Sequence, residues 1–113
     1  MVFEKNATVA ELEFYAAGSI TGIVFWLTLP FSWGSVHLRS FGEINDLVID
    51  VGLVTIDLDM DITIGAGRLA REIWSTKPLS DLVSAFISPG EAVLPINVTD
   101  VQWADFITTS CKQ

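Results

Sequence analysis

The amino-acid sequence predicts a mainly β protein, an antiparallel sandwich or small barrel of six or seven strands with a short helical insertion at about residues 66–87. Hydrophobic and polar residues alternate along residues 8–15 and 35–41, and an apolar run covers residues 20–29. Short segments rich in Gly, Ser or Pro separate these stretches, as in antiparallel β proteins. Because the 113 residues contain no repeat or linker, we expect one domain over residues 1–113.

The first two strands are predicted to form a hairpin. Leu12 and Phe14 alternate with Glu11 and Glu13, which is typical of a strand with one buried face. The Ala-Ala-Gly-Ser sequence of residues 16–19 predicts the loop. The second strand, residues 20–29, is apolar on both faces, so we expect something to cover each face.

Residues 47–64 are expected to form one long bent strand or two strands in series. The apolar positions change parity beside Gly52, as a β-bulge would require. Asp57, Asp59 and Asp61 alternate with apolar residues, and this indicates the solvent-facing side of a strand. Their spacing matches the start of an EF-hand loop, but Arg68 occupies the place of the bidentate glutamate, so no metal site is predicted.

The C-terminal half is expected to contain the helical insertion and then two more strands. Residues 66–74 have helical spacing, and a second short helix is predicted to end at residue 87. Turns are predicted at residues 42–46 and 88–91. The last two strands are predicted at residues 92–98 and 101–109.

Residues 62–70 resemble the Gly-x-Gly-x-x-Gly/Ala fingerprint of Rossmann dinucleotide-binding proteins through Gly65, Gly67 and Ala70. That fold requires a first strand that is apolar on both faces, whereas the residues before Gly65 include three aspartates. We therefore interpret the glycines as relieving a corner between a strand and a helix, and we expect no cofactor.

The composition argues against several classes of function. The net charge is −8, which disfavours nucleic-acid binding. The uncharged stretch of residues 15–37 is interrupted by Gly, Ser and Pro, so no membrane span is predicted. The single cysteine, Cys111, excludes an internal disulfide and favours a cytoplasmic or particle-bound protein.

Catalytic residues are not evident in the sequence. His37 is the single histidine, and it lies in an alternating segment where a strand residue is the simpler interpretation. There is no Gly-x-Ser-x-Gly nucleophile motif. We therefore expect a non-enzymatic protein, and an enzyme built around His37 is the less favoured alternative.

Apolar residues make up 50% of the chain, more than one small domain is expected to bury. This excess predicts a structural or assembly subunit, of the kind found as virion head-decoration, cement or tail proteins, which forms a trimer or higher homo-oligomer or docks on a larger protein shell. The predicted interface residues are Ile23, Phe25, Trp26, Leu27, Phe31, Trp33 and Trp103. The alternative is a β-barrel or sandwich with a pocket for a small apolar ligand, lined by Phe25, Leu27, Met60 and Trp103.

Overall fold

The computed structural model describes residues 7–39 and 47–110. The described elements are β1 (Ala10–Ala17), β2 (Ile20–Leu27), β3 (Ser35–Leu38), β4 (Leu47–Asp50), α1 (Asp57–Ser75), α2 (Leu79–Leu82) and α3 (Asp100–Ser110). The strands form two separate antiparallel pairs, β1 with β2 and β3 with β4. The prediction of a six- or seven-stranded sandwich or barrel is therefore wrong. The predicted turn at residues 42–46 lies outside the described residues.

The predicted β1–β2 hairpin is confirmed. Ala17 pairs with Ile20 across a two-residue turn, and the register continues to Ala10 opposite Leu27. Gly18 in this turn has a φ of 63°, a conformation that glycine adopts without steric cost. Leu12 and Phe25 are half-buried on the face of the hairpin that carries the odd-numbered residues of β2. This face packs on α1.

The second half of the predicted long strand is a helix. β4 ends at Asp50, and Gly52, with a φ of 56°, turns the chain into α1. The parity change at Gly52 therefore marks the end of the strand rather than a bulge within it. Asp57 and Asp59 lie in the first turn of α1, where negative charge is favourable to the helix dipole.

The last two predicted strands are also wrong. Residues 91–97 form turns, and α3 occupies residues that were predicted to alternate along a strand. Thr99 and Gln102 cap this helix: the Thr99 amide donates to Oε1 of Gln102, and the Gln102 amide donates to the Thr99 hydroxyl. This Thr-x-x-Gln pattern is a capping box, a signal for a helix that the alternation in hydrophobicity obscured.

The core lies where α1, α3 and the preceding turns meet. Its buried members are Ile64, Leu94, Trp103 and Ile107. The Cα radius of gyration is 17.5 Å, compared with about 13 Å expected for a compact domain of this length. A large part of the apolar surface is consequently exposed, including both faces of the β3–β4 pair.

None of the described helices combines the length and the apolar character that crossing a membrane would require.

Candidate functional site

Asp59 is the one buried charged residue in the described part of the chain, with 0% of its surface exposed. Its carboxylate accepts hydrogen bonds from the amide of Phe31 at 3.0 and 3.1 Å and from the amide of Ser32 at 2.6 Å. The Ser32 hydroxyl in turn accepts the amides of Thr55, at 3.0 Å, and Ile56, at 3.2 Å. Ser32 thus fixes the two residues that precede α1 to a distant loop, while the helix itself has no side-chain N-cap hydrogen bond.

The hydrogen bonds around Asp59 also determine its protonation. Burial raises the pKa of the carboxyl, but hydrogen bonds from the Ser32 side chain and from the amides of Phe31 and Ser32 outweigh it and lower the pKa below the ordinary 3.8. A buried, ionised carboxylate with these hydrogen bonds fixes the position of the backbone amides that donate to it. We therefore assign Asp59 a structural role, fixing the loop that follows β2 to the start of α1.

The aspartates were predicted to line one face of a strand, and this is wrong. In a helix, Asp57 and Asp61 are one turn apart on the exposed surface, whereas Asp59 points into the protein. Within residues 7–39 and 47–110, no three His, Cys, Asp or Glu side chains come together as metal ligands.

The outer face of the β1–β2 hairpin carries polar and aromatic groups together. Glu11 lies opposite Trp26, and Glu13 lies opposite Val24. All four are exposed, as is Tyr15 beside them, and Trp26 retains 40% of its surface. Carboxylates accept hydrogen bonds from hydroxyl groups, while an indole presents a flat apolar surface. We call these five residues the outer hairpin face.

A cleft of about 330 Å³ opens beside the turn end of the hairpin, where Tyr15 of the outer hairpin face also contributes to the lining. Its walls come from the start of β2, from α1, from the irregular segment at residues 83–87 and from α3. Six aromatic side chains contribute to the lining: Tyr15, Phe25, Trp74, Phe86, Trp103 and Phe106. We call this cavity the aromatic cleft.

Trp103 forms the floor of this cleft and is only 2% exposed. Its ring lies over Gly67, where an added Cβ would be 2.9 Å from Cζ3 of Trp103. The Arg71 guanidinium lies 5.5 Å from the ring centroid and also donates to the carbonyls of Leu94, at 2.6 Å, and Pro95, at 3.0 Å. The indole Nε1 has no hydrogen-bond partner among the described residues.

The glycines of the Rossmann-like stretch lie inside α1 and not at a corner between a strand and a helix. Gly67 permits the close approach of Trp103, whereas Gly65 faces open space. The prediction that these glycines relieve a corner between a strand and a helix is therefore wrong. Packing against Trp103 explains Gly67 instead.

The predicted interface residues do not share one surface. Ile23, Phe25 and Leu27 are half-buried on the α1 side of β2, and Trp103 is buried. Trp26, Phe31 and Trp33 are exposed, with Trp33 at 88%. Their role in contacts between copies, and the predicted oligomer, stay predictions.

The pocket residues and His37 are also placed by the structure. Phe25 and Trp103 line the cleft, whereas Leu27 and Met60 do not. His37 is exposed on β3 opposite Val48. Cys111 lies outside the described residues. Arg71, which was not among the predicted site residues, lines the cleft, donates to two backbone carbonyls and lies over Trp103.

Comparison with known proteins gives one informative similarity. No protein-family model matches the chain. Among curated proteins, the glucose oxidase-like protein fsoC of Humicola fuscoatra is 35% identical over 105 residues. The aligned region covers 91% of this chain and 17% of fsoC, so the chain spans about a sixth of the length of this curated relative.

This similarity corrects the functional predictions. The virion-type head-decoration, cement or tail function is wrong, because the relative is named for an oxidoreductase and not for a particle component. The alternative, an apolar-ligand-binding barrel or sandwich, is wrong because the four described strands form two separate pairs.

Proposed function

We propose that this chain is an oxidoreductase-related unit of the glucose oxidase-like kind, which acts together with a larger catalytic portion and contributes one wall of its substrate site. The observation that carries the proposal is the 35% identity to fsoC over an aligned region of 105 residues, which covers 91% of this chain. The identity extends along nearly the whole chain and is not confined to a short motif.

The exposed apolar surface supports a role within a larger protein. Six hydrophobic residues are buried in the described part of the chain, whereas large apolar side chains are exposed on the strands of both sheets. Soluble proteins that fold alone rarely expose contiguous apolar surface on this scale. In fsoC, the matched region is about a sixth of the polypeptide, and the remaining five-sixths is large enough to cover such a surface.

The outer hairpin face has the chemistry for a sugar or another polyol. Glu11 and Glu13 can accept hydrogen bonds from substrate hydroxyls, and Trp26 can pack against the apolar face of a ring. Cross-strand neighbours lie about 5 Å apart, so Glu11 and Trp26 can contact the same small molecule. We propose these three residues as substrate-contacting residues, with the oxidation chemistry supplied by the larger portion.

A chimeric protein tests the proposal. The matched region of fsoC is replaced by the corresponding residues of this chain, and dioxygen uptake is measured with D-glucose, other aldoses and primary alcohols. We expect the chimera to retain oxidase activity on the best substrate of fsoC. The Glu11→Gln/Glu13→Gln variant should raise KM for polyhydroxylated substrates at least about tenfold, because each carboxylate hydrogen bond contributes about 1.5–3 kcal/mol.

Two controls define the result. In the first, a flexible Gly/Ser linker of equal length replaces the matched residues and sets the background rate. In the second, Asp81→Asn removes an exposed carboxylate on α2, away from the outer hairpin face, and should leave KM unchanged. A chimera that folds like fsoC but oxidises no faster than the linker control would contradict the proposal.

A further inference from the structure

The hydrogen-bonding pattern of the hairpin shows which groups of β2 point away from β1. In a hairpin with a two-residue turn, the residues that flank the turn form a hydrogen-bonded pair, and such pairs recur at every second position. The flanking pair here is Ala17 and Ile20, and the same parity is confirmed by the Thr28 amide, which donates to the Val9 carbonyl at 3.1 Å. The residues of β2 whose N–H and C=O groups point outward are therefore Thr21, Ile23, Phe25 and Leu27.

These outward-pointing groups form a free sheet edge. Within residues 7–39 and 47–110, no backbone hydrogen bond joins them to any other element. β2 is eight residues long and carries no charge, and Val24 and Trp26 on it are exposed. A long, uncharged, apolar edge promotes pairing with another strand, whereas the edge strand β1 carries Glu11 and Glu13. Of the two edges of the hairpin, the β2 edge is thus the better suited to pair with a third strand.

The aromatic cleft lies beside this part of β2. Ile20 to Ile23 line one wall, and the irregular segment at residues 83–87 lines another. Residues 84–86 make no hydrogen bond to backbone elsewhere in the described chain. A cavity of 150 Å³ accommodates a benzene ring, so about 330 Å³ holds roughly two side chains of that size. The space suits a few side chains of one extended segment.

We propose that the free edge of β2 pairs with an extended segment from the remaining portion of the glucose oxidase-like polypeptide, and that this segment places alternate apolar side chains in the aromatic cleft. The inference rests on the proposed function for the source of the segment. That source is favoured because five-sixths of fsoC lies outside the matched region. Addition of a strand to an exposed edge supplies main-chain hydrogen bonds, and pockets for alternate side chains provide specificity.

Amide hydrogen exchange tests the pairing directly. Exchange is measured residue by residue, by mass spectrometry, in the chain alone and in the fsoC chimera. The outward amides of Ile23, Phe25 and Leu27 should exchange at least about tenfold more slowly in the chimera, because they gain hydrogen-bond partners there. The amides of Val24 and Trp26 already pair with β1 and should change much less.

A matched pair of proline variants identifies the edge. Thr21→Pro removes an outward N–H from β2, and Ala16→Pro removes an outward N–H from β1 at the paired position. Ala16 and Thr21 form a non-hydrogen-bonded pair whose N–H groups point away from the partner strand, so neither variant breaks a hydrogen bond within the hairpin. Thr21→Pro should reverse most of the protection of Ile23 and Phe25 in the chimera, whereas Ala16→Pro should leave it in place.

The outcomes separate this inference from the proposed function. An active chimera in which Ile23, Phe25 and Leu27 exchange as fast as in the chain alone would overturn the strand pairing and leave the function standing. Protected amides in an inactive chimera would support the pairing and count against the function. Protection that appears in the chain alone as its concentration rises would assign the edge to a second copy and overturn the inference.

Discussion

The backbone N–H of Ser32 lies 2.6 Å from Oδ2 of Asp59 and donates a hydrogen bond to it, which links the loop after β2 to the first turn of α1. The Ser32 hydroxyl completes the link by accepting the Thr55 and Ile56 amides. This pair joins the hairpin to the helix on which it packs. The stability of the fold should therefore depend on it.

Replacing Asp59 with asparagine should destabilise the protein. One carboxylate oxygen becomes an NH₂ group, which cannot accept the Phe31 or Ser32 amide, and a buried donor is left facing other donors. We expect the Tm to fall by about 5–15 °C, measured by circular dichroism. Asp61→Asn, at an exposed position on the same helix, is the control and should shift the Tm by no more than about 3 °C. Equal effects of the two substitutions would contradict the structural role of Asp59.

The same carboxylate should make stability depend on pH in the acid range. Burial raises the pKa of Asp59, but the hydrogen bonds from Ser32 and Phe31 outweigh it, so the folded-state pKa lies below 3.8. Its stabilisation is therefore complete above the unfolded-state value of about 3.9 and is lost as the pH falls through the lower folded-state value. The difference in unfolding free energy between the wild type and Asp59→Asn should be constant from about pH 5 to about pH 7, because Asp59 is fully ionised there. It should shrink below about pH 4. A difference that grows as the pH falls would have the wrong sign.

The two glycines of α1 should respond in opposite ways to alanine. At Gly65 an added Cβ meets open space, so Gly65→Ala should stabilise the helix by about 0.5–1 kcal/mol. At Gly67 the added Cβ would lie 2.9 Å from the buried Trp103 ring and 3.3 Å from Phe25. Overpacking of this kind costs about 1–3 kcal/mol, so Gly67→Ala should be less stable than Gly65→Ala by about that amount in urea denaturation. A Gly67→Ala variant as stable as Gly65→Ala would show that Trp103 does not lie against this position.

The two arginines of α1 should also differ in importance. Arg71 donates to the Leu94 and Pro95 carbonyls and lies over Trp103, so Arg71→Met should cost about 1.5–3 kcal/mol of unfolding free energy. Arg68 pairs with Asp100 at the exposed surface, where ion pairs contribute at most about 1 kcal/mol. Arg68→Met is therefore the matched control, and urea denaturation of both variants measures the contrast. A larger loss for Arg68→Met would contradict the anchoring role of Arg71.

The sequence predicted the parts of the fold that depend on local pattern. The alternation in β1, the Gly18 turn and the apolar β2 led to the observed hairpin, and the helical spacing of residues 66–74 lies within α1. The failures came where two periodicities coexist. Residues 54–64 alternate strictly and are rich in β-branched residues, yet they contain the apolar spacing of α1 as well, and packing against the hairpin favours the helix.

The residues of the candidate site were harder to predict from the sequence than the hairpin was. Nothing in the local pattern distinguishes Asp59 from Asp57 and Asp61, because its partners Phe31 and Ser32 lie in a loop more than 25 residues away. The capping box at Thr99 was readable in the sequence, whereas the contact between Gly67 and Trp103 was not, since it requires α3 to be a helix.

What the sequence determined by itself was the excess of apolar side chains and the hairpin with one acidic and one apolar side on β1, because both follow from composition and from a period of two residues. The tertiary structure alone decided that residues 57–75 form a helix, that Asp59 is sealed inside and that the β2 edge lies open beside an aromatic cleft. These features arise from contacts between distant segments, and such contacts override local propensity when they bury aromatic rings or supply hydrogen bonds to a buried carboxylate.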